Sequence, residues 1–98
     1  MTIEQPCALF PLGMTHITPG ARDLLAAAGI APAALLVRHV AGDWGAVPPE
    51  DARENDLSLR EGFRLVSSYS VGDGPAARVW VITEADRTST LLLLPEEY

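Results

Sequence analysis

Gly62-Phe-Arg-Leu-Val-Ser-Ser-Tyr-Ser70, followed by Val79-Trp-Val-Ile-Thr-Glu-Ala-Asp-Arg-Thr-Ser-Thr90, is the stretch that decides the fold class. The turn signal Gly72-Asp-Gly-Pro75 between its two parts predicts a hairpin. An apolar run after Thr90 predicts a further strand, because strands covered on both faces are apolar throughout. Three strands of an antiparallel meander are therefore predicted, over Arg64–Val71, Ala77–Thr83 and Thr90–Leu94.

Upstream of the meander, prolines, glycines and a hydroxyl cap mark three helices. The predicted helices run from Thr18-Pro19 to Gly29, from Pro32 to near Gly42, and from Glu50 to Glu61 before Gly62. The preceding segment, Ala8–Ile17, is apolar but contains Pro11 and Gly13, which suits an edge strand or a strapping segment.

These elements predict a single domain over residues 1–98 of the α+β class. Two or three helices would pack on one face of a small antiparallel β-meander of three to four strands. A chain of 98 residues can bury one core with little surplus stability. The predicted core consists of Leu24, Leu25, Leu35, Leu36, Val40, Leu59, Phe63, Leu65, Val79, Val81, Leu91 and Leu93.

The N-terminus and the single cysteine bear on the expected compartment. Residues 1–5 lack a basic region followed by an apolar one, so no signal peptide is expected, and no apolar run approaches the roughly 18 residues that span a bilayer. Cys7 is the only cysteine and has no partner for an internal disulfide. We therefore expect a cytoplasmic protein that needs neither a membrane nor a cofactor.

The charge distribution constrains the class of partner. The formal net charge is −6, and from Pro49 onward ten carboxylates face five arginines. Nucleic-acid binding draws much of its affinity from cations on phosphate, so a direct nucleic-acid role is not expected. An acidic surface could instead attract a basic protein. The simpler alternative is a negative surface that only keeps the protein in solution.

Residue types for catalysis are present without a specific arrangement. His39, Asp43, Glu84 and Asp86 are the candidate catalytic side chains of a small hydrolase or nuclease, but no nucleophile elbow or phosphate loop accompanies them. No histidine spacing predicts a metal site. Helices on either side of Gly29 resemble a helix-turn-helix in length, yet the second offers only Arg38 and His39 as basic groups, which favours a structural helical hairpin.

The polar loop from Thr83 to Thr90 and the two tryptophans each have two interpretations. Between rigid strands, the loop could present a binding epitope or a small catalytic set. Alternatively it is a self-contained turn, in which Asp86 caps the turn, Arg87 pairs with Glu84 and the hydroxyl groups bond to backbone. Tryptophan is often an interface anchor, but core packing is the simpler role for Trp44 and Trp80 in so small a domain.

Seven short motifs make the chain similar to a family of short, uncharacterised bacterial proteins carried on plasmids, integrative elements and prophages. The outline is L-F-P-L-G, T-P-G-A, R-H-x-x-G-D-W-G, E-x-x-x-N, G-x-R-x-x-S-x-Y, W-x-I-T-E-x-D-R-x-x-T and L-L-P-x-x-Y. These motifs fall on Leu9–Gly13, Thr18–Ala21, Arg38–Gly45, Asp51–Asn55, Gly62–Tyr69, Trp80–Thr90 and Leu93–Tyr98, with Asp51 at the glutamate position of the fourth motif. One departure is the hairpin turn, where Gly72–Ala77 is slightly longer than usual.

The resemblance implies a cytosolic protein of a mobile genetic element and implies no reaction. The motif residues that core packing does not explain are candidates for a shared surface or a buried polar network. The candidate binding residues are Arg38, Trp44, Asn55, Tyr69, Thr83 and Arg87, together with Glu50, Asp51 and Glu54 at the start of the third helix.

Three functions remain open on the sequence. The first is a non-enzymatic binding protein, acting as an inhibitor of host defence (CRISPR or restriction machinery), whose acidic third helix occupies a basic groove of a nucleic-acid enzyme. The second is the hydrolase or nuclease, which requires its four candidate side chains to converge. The third is a structural homodimer that covers a free sheet face including Trp80 and Ile82.

Overall fold

The structure, a computed structural model, describes residues 8–74 and 76–98. Cys7 and the first five residues, on which the expectations about redox state and targeting depend, lie outside that range. The elements in chain order are β1 Met14–Ile17, α1 Pro19–Ala28, α2 Pro32–Val40, α3 Pro49–Glu61, β2 Leu65–Ser70, β3 Arg78–Thr83, β4 Ser89–Leu93 and a 3-10 turn Pro95–Glu97.

The α+β class and the antiparallel meander are confirmed. β2 pairs antiparallel with β3, with Leu65 opposite Thr83, and β3 pairs antiparallel with β4, with Thr83 opposite Thr90. The sheet order is β1-β4-β3-β2. The sequence did not predict that β1 would pair parallel to β4, which makes the sheet mixed.

A close backbone contact fixes the position of this parallel edge strand. Gly13 has a φ of +67°, and a Cβ there would overlap the carbonyl group of Thr88. Glycine therefore lets the segment before β1 lie directly against the turn before β4, where the Met14 amide donates to the Thr88 carbonyl at 3.0 Å.

The helix ends agree with the capping residues in the sequence. The Thr18 side chain accepts from the Ala21 amide at 3.1 Å, and α1 ends at Gly29 with a φ of 72°. The cap of α3 is Gly62, with a φ of 81°. No single helix among the described residues is long and apolar enough to cross a membrane; α1 and α2 meet that length and composition test only together, as a pair bent by 102°.

Seven of the twelve predicted core residues are buried, four are half-buried, and one assignment is wrong. Phe63 is 55% exposed because α3 ends before it and β2 begins only at Leu65. Leu24, Leu36, Leu59 and Leu91 are half-buried. Predicted core residues that are buried are Leu25, Leu35, Val40, Leu65, Val79, Val81 and Leu93. Large buried residues missing from the prediction are Phe10, His39, Trp44, Tyr69, Ile82 and Leu92.

The outer edge of β2 is closed by groups from outside the sheet. The Asn55 side chain of α3 donates to the Val66 carbonyl at 2.7 Å and accepts from the Val66 amide at 3.1 Å. Two residues further along, the Ser68 amide donates to the Trp44 carbonyl, and the Ser68 carbonyl accepts from the Ala46 amide. An exposed strand edge is a template for unwanted pairing, and these contacts occupy it.

We expect Asn55→Ala to destabilise the fold by about 2 kcal/mol, because both Val66 backbone groups lose their partner at a buried site. Urea unfolding of the full chain measures the change. The matched control is Ser58→Ala, which truncates the neighbouring buried position of α3, where a loss below about 1 kcal/mol is expected. Equal losses would show that the Asn55 amide does not hold this edge.

The face of the sheet opposite α1 and α2 is partly covered by the chain itself. Ile82 is only 5% exposed, and Leu93 is 3% exposed. Trp80 is half-buried, with its ring centroid 5.6 Å from that of Tyr98. The apolar surface that motivated the homodimer hypothesis is therefore smaller than the sequence suggested.

Candidate functional site

The segment Arg38–Gly45 folds back on itself at the end of α2. Arg38 Nε lies 2.7 Å from Asp43 Oδ2, and this hydrogen bond holds the pKa of the Asp43 carboxyl below its usual value. The same guanidinium stands 4.5 Å from the centroid of the Tyr69 ring. Tyr69 donates its hydroxyl to the Asp43 carbonyl at 2.6 Å, and burial raises the pKa of that hydroxyl to about 12. These contacts join the end of α2 to β2.

His39 lies at the centre of a buried chain of hydroxyl groups. Its Nδ1 is 2.6 Å from Ser67 Oγ, and its Nε2 is 2.9 Å from Thr83 Oγ1. Thr83 Oγ1 is 2.7 Å from Thr90 Oγ1, which donates to the Leu12 carbonyl at 2.7 Å. All four side chains that form this chain are fully or almost fully buried.

The terminal carbonyl fixes the direction of the protons from Thr90 back to His39 Nε2. Because the Thr90 hydroxyl gives its proton to Leu12, it must accept from Thr83, which in turn accepts from His39 Nε2–H. Burial, assisted by the nearby positive charge of Arg87, lowers the pKa of His39 to about 4. His39 is therefore neutral at pH 7, and its unprotonated Nδ1 accepts from Ser67. The imidazole is a fixed structural group at neutral pH.

Trp44 and Gly45 complete the packing against β2. The Trp44 ring is 6% exposed and packs with Phe10 and His39, while its indole N–H donates to Asp56 Oδ1 at 3.1 Å. Core packing is thus the observed role of Trp44. Gly45 has a φ of +78° and lies against the Ser68 carbonyl.

The four candidate catalytic side chains have separate partners and form no common hydrogen-bonded cluster among the described residues. His39 bonds to two hydroxyl groups, Asp43 to Arg38, Glu84 to Arg64 at 3.5 Å, and Asp86 to Thr88 at 2.6 Å. Within residues 8–74 and 76–98, no group of three or more potential metal ligands converges. The geometry therefore gives no support to the hydrolase or nuclease.

The contact between Ser67 and His39 has the distance of an activated nucleophile, but its setting differs. Both residues are 0% exposed, so a substrate has no access to the hydroxyl. The third group is the Thr83 hydroxyl, not a carboxylate, and an imidazole with a pKa near 4 is a weak base at neutral pH. This arrangement stabilises the fold.

The loop from Thr83 to Thr90 is largely a self-contained turn. Asp86 Oδ1 accepts from the Thr88 amide and hydroxyl, and Thr83 and Thr90 are both buried. The Arg87 side chain donates to the backbone carbonyls of Glu84, Ala85, Phe63 and Ser58, and so ties the loop to the end of α3. Arg87 contacts the Glu84 carbonyl, whereas the Glu84 carboxylate pairs with Arg64.

The outer surface of α3 carries a row of carboxylates around an exposed leucine. Glu50, Glu54, Leu57 and Glu61 follow one another at intervals of four, three and four residues, which places them on one side of the helix. All three carboxylates are exposed, and Leu57 is 36% exposed. In the described part of the chain, no carboxylate of α3 forms an ion pair. We call these four residues the acidic stripe.

A groove of about 430 Å³ lies beside the acidic stripe, on the sheet face opposite α1 and α2. One wall is α3, which contributes Asp51 and Glu54, and the floor comes from β2 and β3, including Trp80. Arg78 extends across the floor and donates to Ser68 Oγ at 3.1 Å and to the Ala46 carbonyl at 3.3 Å. Arg64 also lines the groove.

The structure separates the candidate binding residues into two groups. Glu50, Asp51 and Glu54 are accessible on α3. Trp44, Asn55, Tyr69 and Thr83 are buried, and Arg38 and Arg87 are engaged with groups of the chain itself. His39 is buried and Arg38 is ion-paired with Asp43. Neither basic group is therefore free to contact DNA from α2, as a recognition helix would require.

Comparison with known proteins adds no assignment. No protein family, curated protein or solved structure matches this chain.

Sequence reasoning missed the floor of the groove and the partners of His39. Neither Arg64 nor Arg78 was among the candidate binding residues. The signal for Ser67 was present, because strict alternation places it between Leu65 and Tyr69 on the inward face of β2. The convergence of Trp80 and Arg78 with α3 depends on how the helix docks, which no local pattern encodes.

Proposed function

We propose that this protein is a non-enzymatic binding protein that contacts a basic protein partner through the acidic stripe of α3. The proposal rests on one observation, the difference between polar groups that are bonded within the chain and carboxylates that are not. The candidate catalytic groups are engaged within the chain, whereas the carboxylates of the stripe are exposed and form no ion pair in the described residues.

The composition of the stripe suits a protein surface. Leu57 supplies an apolar contact at the centre, and carboxylates surround it, as in interfaces with an apolar centre and a polar rim. The net charge of −6 would speed the approach of a positively charged partner. The finer form of the proposal, which draws on the resemblance to mobile-element proteins, is that the partner is a nucleic-acid enzyme of host defence and that α3 occupies its basic groove.

We expect Glu50→Arg with Glu61→Arg to abolish capture of the partner, because both substitutions replace attraction by repulsion at the contact. The tagged full chain and the variant are used for affinity capture from the host, and captured proteins are identified by mass spectrometry. Circular dichroism checks that the variant folds.

The matched control is Asp23→Arg with Glu96→Arg, which gives the same formal net charge at exposed sites outside α3. Capture of a stoichiometric basic protein by the wild type and the control, but not by the α3 variant, supports the proposal. Equal capture by all three forms, or capture of no protein by the wild type, contradicts it.

A further inference from the structure

The charges that line the groove beside the acidic stripe do not balance within the described residues. Arg64 is neutralised by Glu84 and also donates to the Tyr98 hydroxyl at 2.9 Å. Arg78 is held by a hydroxyl and a carbonyl, which do not cancel its charge. Asp51 and Glu54 form no ion pair in residues 8–74 and 76–98. Two carboxylates thus oppose one unneutralised guanidinium, which leaves room for one further cation.

The side chains that line the groove favour a flat cation over a spherical one. Trp80 contributes a half-buried indole to the floor, and aromatic faces attract cations within about 6 Å of the ring. Asp51 and Glu54 lie three residues apart on α3, so their carboxylates are neighbours on the wall. A guanidinium can stack on an indole and donate in its plane to carboxylates, whereas an ammonium is a strongly hydrated point charge.

We propose that this groove receives an arginine side chain from a protein partner, with the guanidinium stacked on Trp80 and hydrogen-bonded to Asp51 and Glu54. This inference rests on the proposed function, since it names the side chain through which a basic partner would bind in the groove. The groove walls are held before binding: Asn55 is bonded to Val66, and Arg78 to Ser68. Little ordering is then needed when the arginine enters.

The test titrates the blocked peptide acetyl-Gly-Arg-Gly-amide into the isotope-labelled full chain and follows amide and indole signals by NMR. We expect saturable shifts at the Trp80 indole and at residues 46–55, with Trp44 as an internal reference because its indole is buried and bonded to Asp56. Counterpart peptides with citrulline or lysine in place of arginine should bind at least about tenfold more weakly. Citrulline lacks the positive charge, and lysine lacks the planar group.

Two variants with the same charge change separate the groove, which includes Glu54 of the acidic stripe, from the other two carboxylates of the stripe. Asp51→Asn with Glu54→Gln should weaken binding of the arginine peptide by about tenfold or more, whereas Glu50→Gln with Glu61→Gln should change it by less than about twofold. The spectra themselves show whether each variant is folded. Absence of saturable shifts, equal binding of the lysine peptide, or equal effects of the two variants would overturn the arginine assignment. If capture of the partner still depended on Glu50 and Glu61, the proposed function would hold although the arginine assignment had failed.

Discussion

Gly45→Ala should cost about 4 kcal/mol of unfolding free energy, a large part of the stability of a domain of this size. Two effects add. A side chain at a φ of +78° costs about 1–2 kcal/mol, and the new Cβ would overlap the Ser68 carbonyl oxygen and approach Tyr69 Cδ1 to 2.7 Å. Both contacts are with β2, which cannot move without loss of its pairing with β3.

The matched control for this substitution is Gly62→Ala. Gly62 has a φ of +81°, but nothing lies within 4 Å of a Cβ built there, so only the conformational cost applies. The difference between the two variants should be about 2–3 kcal/mol, or roughly 8–24 °C in Tm. Thermal and urea unfolding measure it. Similar losses at both glycines would contradict the close packing of residues 44–46 on β2.

Lowering the pH should remove about 3 kcal/mol of stability through His39 alone. The pKa of His39 falls from about 6.5 to about 4 on folding, so the unfolded chain binds a proton first as the pH falls. The contribution of the neutral imidazole is fully present above pH 6.5 and is lost progressively down to pH 4. A protonated His39 could no longer accept from Ser67, which is the structural reason for the loss.

The measurement is the urea-unfolding free energy of wild type and His39→Gln at intervals from pH 7.5 to pH 4. His39→Gln should be less stable at pH 7.5, and the difference between the two proteins should shrink as the pH falls. Asp43, Asp86 and Glu97, whose pKa values lie below their usual range, contribute in the acidic part of this window. They are present in both proteins, so their effect cancels in the difference. Parallel pH profiles would contradict a neutral buried His39.

The meander and the helices were predictable because their signals are local. Alternation in β2, the turn before β3, and caps such as Thr18 and Gly62 each act over a few residues. The parallel pairing of β1 with β4 could not be predicted, because it joins segments about 75 residues apart and depends on the contact of Gly13 with Thr88. Phe63 was assigned to the core although the predicted third helix ends at Glu61, and the structure leaves it exposed between α3 and β2.

The candidate site was predictable in composition and not in arrangement. Asn55 was named from the sequence as a candidate binding residue, but its partner, the Val66 backbone, lies on another element. Likewise, His39 and Thr83 were noted separately, and only the docking of α2 on the sheet makes them neighbours. The acidic stripe depends on helical spacing alone and could be read directly from Glu50 to Glu61.

The contact of the acidic stripe with a basic partner is tested most directly by the dissociation constant of the purified complex as a function of NaCl concentration. We expect Glu50→Arg with Glu61→Arg to raise Kd by about 100-fold at low salt, and Asp23→Arg with Glu96→Arg to raise it by less than about threefold. The α3 variant should also show a flatter salt dependence, because screened charge pairs have been removed. Equal changes in Kd for the two variants would contradict a contact at α3 and would mean that only the overall negative charge of the protein matters.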